Sequence, residues 1–217
     1  RMAVLRPLRL TIANWPTTDD GDPVTEHFDI VNNPENAEDG TRSVAFTGEL
    51  WIEGDDFHPD PPPKFFRLSP GREVRLRGAY LVTCTGYETD ADGNVTHVLA
   101  EYDPASRGGS APDGRKVKST MHWVSAAHAV PVQAALYERL FTTEVPGERT
   151  GDPLDDLHPE SRSVRTGWAE AALADTPPGA VVQFERLGYF AHDPREVGVY
   201  HCTVGLRDEW ANIQKRS

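Results

Sequence analysis

The stretch that decides the fold is Arg42–Ile52, which reads RSVAFTGELWI. In an extended chain, successive side chains point to opposite faces. One face of this stretch then carries Val44, Phe46, Gly48, Leu50 and Ile52, and the other carries Ser43, Ala45, Thr47, Glu49 and Trp51. The alternation therefore predicts a half-buried β-strand with a polar outer side.

The same alternation recurs along the chain between turn signals. It predicts further strands at Glu73–Thr85, Thr96–Tyr102, Arg115–Val124, Val181–Glu185, Tyr189–Ala191 and Val199–Val204. An Asp-Gly pair within Asp90–Asn94 predicts a hairpin between the first two of these. The chain contains 18 glycines and 18 prolines, a density that favours many turns and short strands over long helices.

Two segments have helical spacing instead. Ala126–Phe141 carries apolar residues at helical intervals with Pro131 in its first turn, and Trp168–Ala174 forms a second, shorter candidate. The resulting fold class is mainly β, with two β-barrels and short helical inserts. The stiff proline run His58–Pro63 is typical of a crossing between subdomains.

Composition limits the classes of function. The chain has 22 Lys and Arg against 34 Asp and Glu, a formal net charge of −12, which taken alone argues against binding to nucleic acid. Two cysteines favour a reducing cytoplasm over a disulfide framework or a zinc site. No apolar run predicts a membrane span, and no secretory signal is visible. Because the chain begins at Arg1, we expect it to be a piece of a longer protein.

The distribution of charge is more informative than its sum. Lys64–Gly78 holds five basic residues and only one acidic residue. Within it, Arg75 and Arg77 share the solvent face of a predicted strand, and Lys64-Phe65-Phe66-Arg67 alternates cations with aromatic rings. Rings stack on unpaired bases and guanidinium groups bind phosphates. This island, with the second basic group Arg115–Lys118, predicts RNA binding. The alternative is a solvated strand face beside two core phenylalanines.

Catalytic motifs are not evident. His122, Ser125 and His128 have neither the spacing of a zinc pair nor that of a nucleophile motif, and we expect them to support packing at a strand junction. The acidic residues Asp152, Asp155, Asp156 and Glu160 lack the glycine and spacing of a calcium loop, and they predict a solvated loop. We therefore expect this chain to bind rather than to catalyse, with no metal site and no catalytic residue.

Several stretches together resemble one family. They are RMAVLRPLRLTIANW, NNPENAEDGTRSVAFTGELWIEGDDF, REVRLRGAY, DGRKVK, HWVSAAHAVPVQAALYERLF, QFERLGYF and TVGLRD. In this order they resemble the C-terminal anticodon-binding region of bacterial glutaminyl-tRNA synthetases, from Arg1 to about Trp210. Glutamyl-tRNA synthetases of the archaeal and eukaryotic type share this architecture and stay an alternative.

The resemblance implies a proximal β-barrel from residues 1–57 and 126–217 and a distal β-barrel from residues 58–125. It implies that the barrels bind the anticodon loop of tRNA(Gln). ATP-dependent ligation of glutamine would occur in a class I catalytic domain of the same chain, so ATP and Mg²⁺ belong to that domain and no cofactor to this region. We expect a cytoplasmic monomer with no membrane partner.

The resemblance also assigns residues. Arg75 and Arg77 match the arginines that contact the first anticodon base, Arg67 matches one that reads the third, and Gln183 with Arg186 match the pair at the middle base. These side chains offer donors and acceptors suited to exposed base edges.

Two positions depart from the family pattern. Lys64-Phe65-Phe66-Arg67 stands where relatives read Gln-Tyr-Lys-Arg, and Glu35 stands where they use an asparagine, with Asn36 beside it. Lys64, Phe65, Phe66 and Asn36 are therefore included as expected RNA contacts.

Two functions from other classes stay open at this point. A free-standing β-barrel could bind ribosomal RNA, as ribosomal proteins do. A carbohydrate-binding module would instead require Trp51, Trp123 and Trp168 to be exposed in one groove.

Overall fold

The computed structural model describes residues 1–206. Fifteen strands carry the fold, joined by turns and five short 3₁₀ segments. The strands are β1 (Ala3–Val4), β2 (Pro7–Ile12), β3 (Glu26–Val31), β4 (Thr41–Phe46), β5 (Glu49–Glu53), β6 (Glu73–Leu76), β7 (Leu81–Thr89), β8 (Val95–Tyr102), β9 (Thr120–Met121), β10 (Val124–Ser125), β11 (Val130–Tyr137), β12 (Arg162–Ala169), β13 (Val181–Phe184), β14 (Gly188–His192) and β15 (Val199–Gly205). The 3₁₀ segments are Ala37–Asp39, Gly54–Asp56, Pro104–Ser106, Pro153–Asp156 and Ala171–Leu173.

The chain forms two compact units. The first contains Arg1–Pro131 and Gly167–Thr176, and the second contains Val132–Thr166 and Pro177–Ser217. The sheets curl as half-barrels, which confirms the predicted mainly β fold with two barrels. Strands β2 and β5 of residues 1–57 share one sheet with the strands of 58–125, whereas the prediction assigned them to different barrels. The proximal and distal assignment stays a prediction, and 207–217 lie outside the described residues.

The first unit is built on a seven-stranded sheet with the order β10-β5-β2-β8-β7-β6-β9. The pair β3-β4 forms a separate two-stranded sheet, and β1 pairs with Trp168 and Ala169 at the end of β12. Aromatic rings fill the core: Phe46 lies 4.9 Å from Trp15, 5.7 Å from Tyr80 and 4.7 Å from Trp123 between ring centroids. This core fixes the position of β6, which carries the basic island.

The second unit contains strands in the order β12-β11-β15-β14-β13. β11 and β15 are parallel, whereas β15, β14 and β13 are antiparallel neighbours. One face of this sheet is buried, where Phe184 lies 4.3 Å from Phe190 and 5.3 Å from Tyr200 between ring centroids. The opposite face carries Gln183.

Five predictions of secondary structure were wrong in part. Within the predicted strand Arg115–Val124 only Thr120–Met121 and Val124 are in strands, and the predicted strand Glu73–Thr85 is divided into β6 and β7 by a turn. The predicted helix Ala126–Phe141 is strand β11, because residues 132 and 134 are buried while Pro131 and Gln133 are exposed, which is the period of a strand. The predicted helix Trp168–Ala174 is the end of β12 followed by a single 3₁₀ turn. The predicted strand Arg42–Ile52 is divided at Thr47-Gly48, although its apolar face is buried as expected.

Candidate nucleic-acid interface

Strand β6 sets the centre of the candidate interface. Val74 and Leu76 are fully buried, so the alternation turns Arg75 outward, as predicted, whereas Arg77 follows the last residue of β6 and its Nε atom is buried. Both arginines are half-buried rather than freely solvated. The Arg75 guanidinium donates to the carbonyl of Gly109 and lies 3.5 Å from that of Val117, so the loop after β8 partly covers it.

The aromatic segment lies in a turn just before β6. The N–H of Phe65 donates to the carbonyl of Pro62 at 3.1 Å, and Lys64 between them has a φ of +70°. That conformation favours glycine, so a lysine there carries backbone strain of the kind often found at binding sites. Lys64 and Phe66 are exposed, with 52% of Phe66 accessible, whereas Phe65 is half-buried. Phe66 is therefore not a core residue.

Contacts across the chain connect this segment to the second basic group. The Lys118 ammonium lies 5.4 Å from the centroid of the Phe66 ring, within the range of a cation–π interaction. Arg72 donates to the carbonyl of Phe65. Arg72 and Lys118 belong to the two basic groups from which the sequence predicts RNA binding, but 52 positions separate Lys118 from Phe66, so the sequence does not predict their contact.

Most cations of the first unit are neutralised by carboxylates. Arg115 contacts Glu73 at 2.8 Å, Asp103 at 2.5 Å and Asp113 at 2.8 Å. These hydrogen bonds raise the pKa of Arg115, and the Arg115 side chain lowers the pKa of Asp103. Arg115 therefore adds little net positive charge to the surface, although the sequence places it in a basic group.

Five other cations of the first unit are not neutralised in this way. Lys64, Arg72, Arg75, Lys116 and Lys118 contact no carboxylate among residues 1–206. We call these five cations with the Phe66 ring the basic cluster. In a chain of net charge −12, it is a local region of positive charge beside an exposed ring.

The other predicted contacts lie elsewhere. Arg67 is paired with the buried carboxylate of Asp56 at 3.1 Å and also donates to the carbonyl of Asp55. Asn36 caps the 3₁₀ segment Ala37–Asp39, with its side chain accepting from the N–H of Glu38 at 3.2 Å.

Gln183 and Arg186, the two residues predicted to contact the middle anticodon base, lie in the second unit. Gln183 is exposed on strand β13, and Arg186 lies in the turn after it with a φ of +65°. The structure therefore brings Lys64, Phe65, Phe66 and Arg75 together in the first unit, and Gln183 with Arg186 in the second.

The features first considered for catalysis are structural. His122 is buried, whereas His128 is exposed and hydrogen-bonds to the buried Ser125 at 3.1 Å. Asp156 is buried and accepts from the N–H of Gly147, so this acidic loop is not simply solvated. Among residues 1–206 no group of three or more His, Cys, Asp or Glu side chains could hold a metal ion. Nor does this part of the chain contain a helix that is long and apolar enough to cross a membrane.

Comparison with known proteins decides the family. A domain described as "tRNA synthetases class I (E and Q), anti-codon binding domain" matches residues 1–103, and a second domain with that description matches residues 120–193. The chain belongs to this family of anticodon-binding domains. The two matches include Lys64, Phe66, Arg72 and Arg75 of the basic cluster and the Gln183–Arg186 pair, whereas Lys116 and Lys118 lie between the two matched ranges.

Similar full-length proteins carry one name. The chain is 50% identical to the "Glutamine--tRNA ligase" of Nitrobacter hamburgensis over 98% of its length. It is 46% identical to that of Rhodopirellula baltica over 100%, and 44% identical to that of Escherichia coli O157:H7 over 98%. It spans only 38%, 36% and 38% of these relatives, respectively.

The buried Trp123 contradicts the carbohydrate-binding alternative, which required that side chain to be exposed in a groove. Trp51 and Trp168 stack on each other with 6.2 Å between ring centroids and are half-buried.

Proposed function

We propose that this chain binds the anticodon loop of tRNA(Gln) as part of a glutamine–tRNA ligase. The observation that carries the proposal is the basic cluster, whose five cations contact no carboxylate among residues 1–206 and in which Lys118 lies over the exposed ring of Phe66. Phosphate groups would replace the missing carboxylates, and an unpaired base would stack on Phe66. The names of the relatives support the choice of glutamine over glutamate.

The residue roles follow from this proposal. Arg75 and Arg77 bind at the first anticodon base, Gln183 and Arg186 at the middle base, and Lys64 and Phe65 beside Phe66. Arg67, paired with Asp56, contacts the third base, and Asn36 contacts the anticodon loop. Arg72 and Lys118 bind phosphates beside these residues, which is supported by the contacts of Arg72 with the Phe65 carbonyl and of Lys118 with the Phe66 ring.

The remaining features of the parent protein are part of the same proposal. Ligation of glutamine with ATP and Mg²⁺ takes place in a class I catalytic domain of the same chain, and the present region supplies no catalytic residue or cofactor. The protein acts as a monomer in the cytoplasm, where aminoacyl-tRNA is consumed by translation.

The test removes two charges from the basic cluster in the complete synthetase. Arg75→Gln with Lys118→Gln should weaken tRNA(Gln) binding by roughly 2–4 kcal/mol, or about 30- to 1000-fold, because two charged contacts are lost. The slope of log K against log salt should fall by about 1.5, since two phosphate contacts release fewer counterions.

A matched control removes the same charge elsewhere. Arg6 and Arg9 are 51% and 53% exposed and are paired with carboxylates, so Arg6→Gln with Arg9→Gln should leave binding nearly unchanged. Equal loss in both double variants would mean that only net charge matters. Stronger binding of tRNA(Glu) than of tRNA(Gln) by the wild-type protein would favour the glutamate alternative.

A further inference from the structure

The exposed face of the sheet in the second unit carries a row of side chains that starts at Gln183 and whose other members have no assigned role. Gln183 on β13 is opposite Tyr189 on β14, and Tyr189 is opposite Val204 on β15. Directly opposed residues of antiparallel strands point to the same face. Tyr189 is 41% exposed and Val204 is 56% exposed, so the row is open to solvent.

Tyr137 extends the row on the other side of β15. Ala135 of β11 is level with His201 of β15, and the rings of Tyr137 and His201 stack with 6.0 Å between centroids. Tyr137 is 49% exposed. Since neighbouring strands are about 4.8 Å apart, the row from Gln183 to Tyr137 crosses four strands and about 14 Å.

A chain of hydrogen bonds fixes the Tyr137 end of the row. The Tyr137 hydroxyl lies 2.6 Å from Nδ1 of His201, and Nε2 of His201 lies 2.8 Å from the buried carboxylate of Asp193. Asp193 also accepts from the N–H of Arg195 at 2.7 Å. The two stacked rings therefore have one orientation before any ligand arrives, which lowers the entropic cost of binding to them.

We propose that Tyr189 and Tyr137 form a stacking platform for unpaired RNA bases, which continues the surface that carries Gln183. The proposal rests on the proposed function, because it takes the occupant of this face to be the RNA that Gln183 and Arg186 read. Exposed tyrosines on a sheet, beside the amide of Gln183, suit single-stranded RNA, whose bases stack on rings while their edges form hydrogen bonds.

The main test compares two substitutions of Tyr189 in the complete synthetase. Tyr189→Leu removes the ring and should weaken tRNA(Gln) binding at least fivefold, the lower end of the range for loss of one stacked base. Tyr189→Phe keeps the ring and should bind within about twofold of wild type. Tyr87 is also 41% exposed but lies in the first unit, so Tyr87→Leu is a matched control that should bind normally.

A second measurement follows base stacking directly. A fluorescent adenine analogue placed in the anticodon loop should be quenched when the wild-type protein binds, and Tyr189→Leu should remove part of that quenching. Normal binding and full quenching by Tyr189→Leu, while Arg75→Gln with Lys118→Gln still binds weakly, would overturn the platform and leave the proposed function intact. Loss of aminoacylation in Tyr189→Leu without any change in tRNA binding would also overturn it, and would indicate a protein partner on this face.

Discussion

Two arginines of the first unit differ in whether their charge is neutralised. Arg75 donates to backbone carbonyls, which orient the guanidinium without cancelling its charge. Arg115 contacts three carboxylates instead. The alternation of β6 predicted the outward direction of Arg75, but no local pattern could predict the neutralisation of Arg115. Its partners Glu73 and Asp103 come from other strands and loops.

Tyr80 gives a prediction at the same scale. Burial first, and then the hydrogen bond to Glu26, raise the pKa of its phenol from 10.0 to about 12. A raised pKa favours the neutral form in the folded state, so the contribution to stability is complete below pH 10 and is lost as the pH rises towards 12. Tyr80→Phe should therefore lose less stability than wild type between pH 10 and pH 12. Denaturant unfolding at several pH values measures the difference.

Parallel curves for Tyr80→Phe and wild type would show that the Tyr80 phenol does not contribute to the pH dependence.

Among the structural elements, β11 explains where sequence periodicity fails. Val132, Ala135, Leu136 and Leu140 have the spacing of one helical face, yet residues 130–137 form a strand. Val132 and Ala134 are buried there and pair beside β15, so tertiary contacts override the local pattern. The hairpin at Asp90–Asn94 was predicted correctly because its turn residues act locally, with Asp90 accepting from the N–H of Asn94 at 2.8 Å.

The loop after β8 gives a prediction for an element. Gly109 has a φ of +85°, and a Cβ there would lie 2.9 Å from Cδ of Arg75. Gly109→Ala should therefore displace the Arg75 side chain and weaken tRNA binding about as much as Arg75→Gln alone. It should also destabilise the fold by about 1 kcal/mol, because a left-handed backbone disfavours alanine. Binding titrations and thermal unfolding measure the two effects.

Gly108 separates these effects. It has the same φ of +85°, but nothing lies within 4 Å of a Cβ at that position. Gly108→Ala should destabilise the loop equally and leave tRNA binding unchanged. If both alanine variants bind equally weakly, loop strain rather than the position of Arg75 controls the affinity.

For the molecule as a whole, one buried ion pair connects distant parts of the chain. Glu170 accepts two hydrogen bonds from Arg42, one of them at 3.0 Å, and a third from the N–H of Met2 at 3.1 Å. Both Arg42 and Glu170 are buried. Glu170→Ala should cost about 3–5 kcal/mol of unfolding free energy, because it leaves a buried guanidinium without this carboxylate. Denaturant unfolding measures the loss.

An exposed pair serves as the control. Arg6 and Asp55 are 2.9 Å apart and about half exposed, so Asp55→Ala should change stability by less than about 1 kcal/mol. An equally small effect of Glu170→Ala would mean that the buried pair does not contribute net stability.

The sequence predicted the family, the fold class and the basic character of Lys64–Gly78. It could not predict that Lys118 reaches Phe66, because the fold alone brings these positions together.

The first unit is built from two separate segments of the chain, so the order of synthesis affects when it can fold. Residues 1–131 emerge from the ribosome first, but Gly167–Thr176, with the carboxylate that Arg42 needs, emerge only after Val132–Thr166. During synthesis, Arg42 therefore cannot form its ion pair with Glu170 until Gly167–Thr176 has been made. The first unit can therefore finish folding only after Val132–Thr166 of the second unit has been synthesised.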